Sequence, residues 1–285
     1  MYSDALVDDA RFVISAARTA AKLGASIATS TRVVGLSRSK GRVSGATVRC
    51  LESGREFHVS CGTVVNATGV WSDDIEAYAG ESNSRVRASK GIHLVVPRHR
   101  INLETGLILR TVDSVLFVIP SANHWIVGTT DSDWHLNRAH PAATHRDITY
   151  LITTLNEVLA DPLTTDDVVG VYVGLRPLLA GDSEKTSKLS REHAVTCSTS
   201  GLVSIAGGKY TTYRVMAADT IDAVGVDQGL DLPKSSTDQV PLIGSEHYLQ
   251  LRAQISEIAE MSGVLPATVE HLLSRQGDRI YEVLD

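Results

Sequence analysis

Apolar residues recur along this chain at two periods, and each change of period marks a new element. Val13, Ala16, Ala17, Ala20 and Ala21 stand at i, i+3, i+4, i+7 and i+8, which is one face of a helix. Acidic residues at the start and Gly24 past the end are the expected cap signals, so a helix is predicted from Asp8 or Asp9 to Leu23. Alternation then takes over. It predicts short strands at Ser26–Ser30, Val33–Ser37, Arg42–Leu51, Arg55–Cys61 and Thr63–Asn66. Glu52-Ser53-Gly54, between two alternating runs, has the composition of a hairpin tip.

A second strand-rich stretch, Gly91–Thr130, holds IHLVVP, GLILR, VLFVIP and WIVGTTD, broken at Pro97, at Pro120 and by the polar segment Ser121–His124. Beyond it a helical pattern from Asp147 to Leu159 crosses to a strand at Val168–Val173, and a polar loop covers Gly181–Ser190. Gly201–Ala206 reads as a strand, and GGKYTTYR, Gly207–Arg214, stands directly after it at the head of a long helical pattern. Val226–Thr237 is linker-like, and Glu246–Asp285 reads as helices with a stop at Gly263 and Pro266.

With 285 residues, of which 43% are apolar, the chain can build two modest domains with real cores. Its formal charge of −6 argues against a general nucleic-acid binder but leaves room for local basic pockets. The three cysteines, Cys50, Cys61 and Cys197, form no CxxC pair and point to a reducing compartment. No basic-then-apolar leader opens the chain and no apolar run approaches the roughly 20 residues of a membrane span, so a cytoplasmic location is expected.

Candidate chemistry concentrates in a few places. In GGKYTTYR the glycines allow close backbone approach, and the following helix aims free N–H groups and its positive dipole end at whatever sits there. The same residues also suit a plain tight turn with Lys209 and Arg214 in water. VVNATGVWSD, Val64–Asp73, ends a buried strand in Ala67-Thr68-Gly69 before Trp71, where small residues permit close packing. VYVGLRPLLAG places Arg176 before Pro177, which keeps it extended at a strand end. It can point into a cleft or lie along its rim. TSKLSREHAV adds Arg191, and two guanidinium forks match a phosphate dianion. SKGIHLVVP carries His93 in a strand, and WIVGTTDSDW ends a strand in Thr129, Thr130 and Asp131. The remaining histidines show no HxxH or HExxH spacing, so no metal is expected.

Taken together, the ATG and GGK corners resemble the second half of FAD-dependent glycerol-3-phosphate dehydrogenases, within the D-amino-acid-oxidase-like superfamily. The resemblance implies an α+β fold in which parts of a Rossmann-like flavin domain enclose an antiparallel substrate-binding sheet. It divides the chain into flavin-domain residues 1–80, a substrate-binding domain at 81–195, a return to the flavin domain at 196–228, and a linker with the start of a helical cap domain at 229–285. The implied cofactor is FAD, contacted by Ala67, Thr68, Gly69, Trp71, Gly207, Gly208, Lys209, Thr211 and Thr212. Arg176 and Arg191 would bind the phosphate of glycerol 3-phosphate, with Thr130 and Asp131 orienting the substrate. Arg176 and Lys209 would also assist the chemistry, and His93 would accept the hydroxyl proton. The implied reaction is oxidation to dihydroxyacetone phosphate with electrons passed to a quinone. An oxygen-using oxidase, a related dehydrogenase acting on a carboxylate and a phosphate-ester-binding fragment without catalysis are alternatives. Peripheral membrane association and a homodimer stay open. GxGxxG, which the family carries near its N-terminus, occurs nowhere in this chain, so an internal fragment is expected.

Overall fold

The computed structural model describes residues 7–81, 86–111, 115–180 and 192–284. Two compact units are formed, Met1–Thr31 with Lys234–Asp285, and Arg32–Pro233. The amphipathic opening segment becomes α1 (Asp9–Lys22), and the Asp8 side chain caps it by accepting from Arg11 N at 3.0 Å. No strand forms at Ser26–Ser30, contrary to the prediction: every residue from 21 to 30 is exposed, so neither face of a strand there would be buried.

In the larger unit, β1 (Thr31–Ser39), β2 (Arg42–Cys50) and β3 (Glu56–Ser60) make one sheet in that order. The predicted hairpin closes between β2 and β3, where Gly54 N–H donates to Cys50 O at 2.9 Å. The next strand, β4 (Val64–Asn66), leads through a 3₁₀ turn, Gly69–Trp71, into α2 (Ser72–Tyr78).

Six strands then build the largest sheet: β5 (Val86–Pro97), β6 (Leu107–Arg110), β7 (Val115–Ser121), β8 (His124–Gly128), β9 (Ser132–Asp133) and β10 (Gly170–Leu179). Their order is β10-β5-β8-β7-β6, with β9 also on β5, and every pairing is antiparallel. One face is covered by α3 (His145–Asn156), whose Thr144–Asp147 capping box fixes its start. Leu151, Ile152 and Leu155 of α3 pack on Ile92, Leu94, Val96, Val118, Trp125 and Val127. The last strand runs on through Pro177 to Leu179, whereas the sequence predicts its end at Val173. A proline fits because β10 is an edge strand and needs no second row of backbone donors.

A third sheet sets β12 (Leu202–Gly207) between β11 (His193–Cys197) and β4, antiparallel to β11 and parallel to β4. After a 3₁₀ turn, Tyr210–Thr212, the chain enters α4 (Tyr213–Gln228), which ends at Gly229 in the left-handed conformation, φ 65°. The predicted linker is therefore helical as far as Gln228. The predicted loop Gly181–Ser190 and Arg191 lie outside the described residues.

In the smaller unit, α5 (Tyr248–Ala253), α6 (Ile255–Ser262), α7 (Pro266–Gln276) and α8 (Tyr281–Leu284) surround Leu251, Ile258, Val269, Leu273 and Ile280. Gly263 stops α6 and Pro266 opens α7, as the sequence predicts. The α1 helix belongs to this unit and is tied to it where Thr19 Oγ1 accepts from Ile243 N at 3.0 Å.

Candidate active site

Two strand ends and one sheet face gather most of the predicted site residues. Because β4 and β12 are parallel, with Val64, Val65 and Asn66 opposite Leu202, Val203 and Ser204, their C-terminal ends open on the same edge. The ATG corner follows one strand and the GGK corner the other. In parallel sheets this carboxyl edge is where ligands bind. Asn66, 1% exposed, ties the edge together: its Nδ2 donates to Ser72 O at 3.0 Å, to Ser72 Oγ at 3.0 Å and to Ser204 Oγ at 3.3 Å. Thr68 Oγ1 donates back to Asn66 Oδ1 at 2.6 Å. Arg138 braces the turn from outside, donating to Val70 O at 2.6 Å and gripping both oxygens of Asp74 at 2.7 and 2.9 Å. Asn66 and Arg138 were not singled out from the sequence, where they stand 72 residues apart.

Both corners depend on glycine. Gly69, Gly207 and Gly208 have φ of 60°, 76° and 82°, a region that side chains disfavour. At Gly207 and Gly208 the space a Cβ would need is already filled by the Glu192 carbonyl and by the Met216 thioether. Those two glycines serve the chain's own packing. What the corner presents outward is the stretch behind them, for Lys209, Thr211 and Thr212 are exposed at the start of a helix, where the first N–H groups lack intrahelical acceptors. Trp71 stands exposed beside the other corner.

β10 brings the sheet to this edge. Pro177 lies 3.9 Å from where a Gly69 Cβ would sit, and Leu179 lies 3.1 Å from the same point at Gly207. One strand thus runs past both corners. Arg176, just before, sits opposite Ser89 of β5. Its Nη2 donates to Thr129 Oγ1 at 2.9 Å and its Nη1 to Thr130 O at 3.2 Å. Gly91 makes room: a Cβ there would be 2.6 Å from Nη2 and 2.8 Å from Nη1. Thr130 is buried and its hydroxyl accepts from Ile92 N at 3.1 Å, so its carbonyl is the group that meets Arg176. The Asp131 carboxylate accepts a hydrogen bond from Ser89 Oγ.

His93 occupies the same sheet face. Its neighbours across the strands are Tyr172 on β10 and Gly128 on β8. The imidazole stacks on the Tyr172 ring, with centroids 4.8 Å apart and planes 13° from parallel. On the other side a Cβ at Gly128 would collide with the imidazole Cδ2, so only glycine leaves the ring its place. Burial first, and then the positive charge of Arg176, hold the His93 pKa below its ordinary value. The ring is consequently neutral at neutral pH and able to take a proton. Tyr172, Ser89 and Gly128 are site residues that the sequence does not single out. Period two could have found Tyr172 and Ser89, since Tyr172, Gly174 and Arg176 share one face of a strand, as do Ser89, Gly91 and His93.

Among the described residues, no group of three or more His, Cys, Asp or Glu side chains could hold a metal ion, and no helix is long and apolar enough to cross a membrane.

A parallel strand pair with ligand-facing corners, joined to an antiparallel sheet that presents a neutral histidine and a forked arginine, is the layout of a flavin-linked oxidoreductase. The family model of FAD dependent oxidoreductases matches residues 1–214, and the chain belongs to that family. It is 53% identical over 284 residues to a glycerol-3-phosphate dehydrogenase of Mycobacterium leprae, covering 99% of this chain and 48% of that protein. Identity to glycerol-3-phosphate dehydrogenase 2 of Mycobacterium tuberculosis is 54%, with the same coverage of 99% and 48%. The chain thus spans about half the length of the curated relatives it matches. The structure of a Bacillus halodurans glycerol-3-phosphate dehydrogenase complexed with FAD superposes with a TM-score of 0.87 at 28% identity, covering 98% of this chain and 55% of that one.

Proposed function

We propose that this chain forms part of an FAD-dependent glycerol-3-phosphate dehydrogenase, which oxidises sn-glycerol 3-phosphate to dihydroxyacetone phosphate and passes electrons to a quinone at the membrane face. The observation that carries the proposal is the shared face of β5 and β10, where the neutral His93 ring and the Arg176 fork stand together. Residues 1–80 and 196–228 serve the flavin, 81–195 the substrate, and 229–285 begin a helical cap. FAD, when bound, supplies a two-electron acceptor. Its holders here are the outward residues of the two corners: Ala67, Thr68, Gly69 and Trp71 on one, Lys209, Thr211 and Thr212 on the other, with Gly207 and Gly208 shaping the second corner from within.

Arg176 presents its guanidinium to the substrate phosphate while Thr129 and Thr130 fix its plane. Arg191 supplies the second guanidinium of this anchor. The C2 hydroxyl proton passes to a ring nitrogen of His93, whose lowered pKa keeps that nitrogen open to receive it. Asp131 acts through Ser89, which it holds opposite Arg176. Lys209 places a positive charge at the helix start, where it favours the negative charge that develops on reduction.

Purified protein supplied with FAD should reduce a dye when given glycerol 3-phosphate, and calorimetry should show glycerol 3-phosphate binding that Arg176→Ala weakens. Binding of a simple carboxylate in preference to the phosphate ester would move the reading to a carboxylate-oxidising relative.

A further inference from the structure

We infer that the smaller unit holds a second anion site, separate from the proposed active site and built for a phosphate group. Between α1 and the C-terminal helices lies a cavity of about 380 Å³, lined by Arg11, Ile14, Arg18, Ile243, Arg275 and Arg279 among others. Four guanidinium groups meet there, and among the described residues the acids that pair with them are Asp8 and Glu282. The described part of the wall therefore carries more guanidinium groups than carboxylates.

The pairing shows where an acceptor is wanting. Asp8 is matched by Arg275, and Arg11 caps the end of α7 by donating to the Leu273 and Ser274 carbonyls. Those contacts explain two arginines as structural ties. The other two share a single carboxylate: Glu282 contacts Arg279 directly, while Arg18 Nη2 stays 3.8 Å away, beyond hydrogen-bond reach. Arg279 Nε is enclosed by the protein, while the side chain as a whole stays 33% exposed, so its terminal nitrogens are the part open to a ligand. Arg18 and Arg279 approach the cavity from different elements, α1 and the 3₁₀ turn Gly277–Arg279. A carboxylate accepts largely within one plane, whereas the tetrahedral oxygens of a phosphate accept from several directions at once. The cavity volume also falls in the small-ligand range. The phosphate can be that of a soluble phosphomonoester or of an anionic phospholipid headgroup.

The test uses the full chain carrying Arg176→Gln and Arg191→Gln, so that both proposed phosphate anchors of the active site are removed, and titrates it with inorganic phosphate by calorimetry. The site predicts saturable binding that Arg18→Gln and Arg279→Gln each weaken by roughly tenfold, the effect of losing one charge-assisted contact. Arg18→Lys, which keeps charge but loses the fork, should fall between. The second readout needs no substitution in this unit: the Nε–H resonance of Arg279 should shift as phosphate is added. Vesicles identify the source. Sedimentation with phosphatidylcholine vesicles containing phosphatidic acid, reversed by inorganic phosphate and absent without phosphatidic acid, supports the headgroup; phosphate binding without sedimentation supports a soluble ester. An unmoved Arg279 resonance, or phosphate binding that both glutamine variants leave intact, would overturn the site.

Discussion

On β5, Ile92, Leu94 and Val96 point to one side of the sheet, and Ser89, Gly91 and His93 to the other. The first face is sealed: Ile92 and Val96 are 0% exposed and, with Trp125, close on α3. The second face is covered at Ser89, 0% exposed, and opens in the row of His93, where Tyr172 is 48% and Phe117 38% exposed. One backbone therefore serves two demands by alternation, since residues of opposite parity never compete for the same space. The sealed face holds the fold through apolar burial. The open face carries hydrogen-bonded polar groups whose positions the sealed face fixes.

Lys90 is the exception that tests this division, for it lies on the sealed side and is 4% exposed. Its ammonium donates to Asp147 at 2.6 Å and to Ala142 O at 3.3 Å, and stands 5.3 Å over the Trp134 ring. Burial works to raise the Asp147 pKa, but bonds from Lys90 and Thr144 outweigh it and hold the carboxyl below its ordinary value. A charge on the sealed face is tolerated because it is paired at the start of α3.

The largest effect should come from the sealed face. Trp125→Ala removes a fully buried ring and its Nε1 bonds to Arg98 O at 3.0 Å and Ile101 O at 3.2 Å, so chemical denaturation should show a loss of about 3–5 kcal/mol. On the open face, Arg176→Ala should leave the denaturation midpoint near parental yet weaken glycerol 3-phosphate binding by roughly ten- to a hundredfold, from about 1.5–3 kcal/mol. Tyr172→Leu should slow turnover by up to roughly tenfold through loss of a stack worth about 0.5–1.5 kcal/mol, with KM little changed, and Tyr172→Phe should restore it.

The smallest effect concerns pH. A lowered His93 pKa means that the base stays neutral below the usual histidine range, so the rate should hold there and fall only as pH drops through the lowered value. Arg176→Gln removes one cause of the depression and should move that fall to higher pH. An unchanged profile in that variant would detach the two residues from each other.

What could be read from the sequence follows from how local each signal is. The helix of α1, the hairpin around Ser53 and the stops at Gly263 and Pro266 rest on neighbouring residues, and all are present. Ser26–Ser30 alternates weakly with nothing to pack on, so it stays irregular. The sequence places Arg176 at a strand end because Pro177 holds the residue before it extended, which is a local effect. That β10 runs on depends on its edge position in the sheet, which no local pattern encodes. The same applies to the stack of Tyr172 on His93 and to the grip of Thr129 on Arg176, which exist only once strand register is set.

His93 and Leu94 are sequence neighbours on opposite faces, and replacing each in turn tests the division most directly. Melting temperature and the rate of flavin reduction would be measured on FAD-loaded protein for His93→Gln and Leu94→Ala. The account predicts that His93→Gln lowers the rate by about 10²- to 10⁴-fold at near-parental melting temperature. Leu94→Ala should instead lower stability by about 2–5 kcal/mol while the folded protein keeps most of its rate. If His93→Gln reduced flavin at the parental rate, or if it unfolded the protein as Leu94→Ala does, the open face would not be the chemical one.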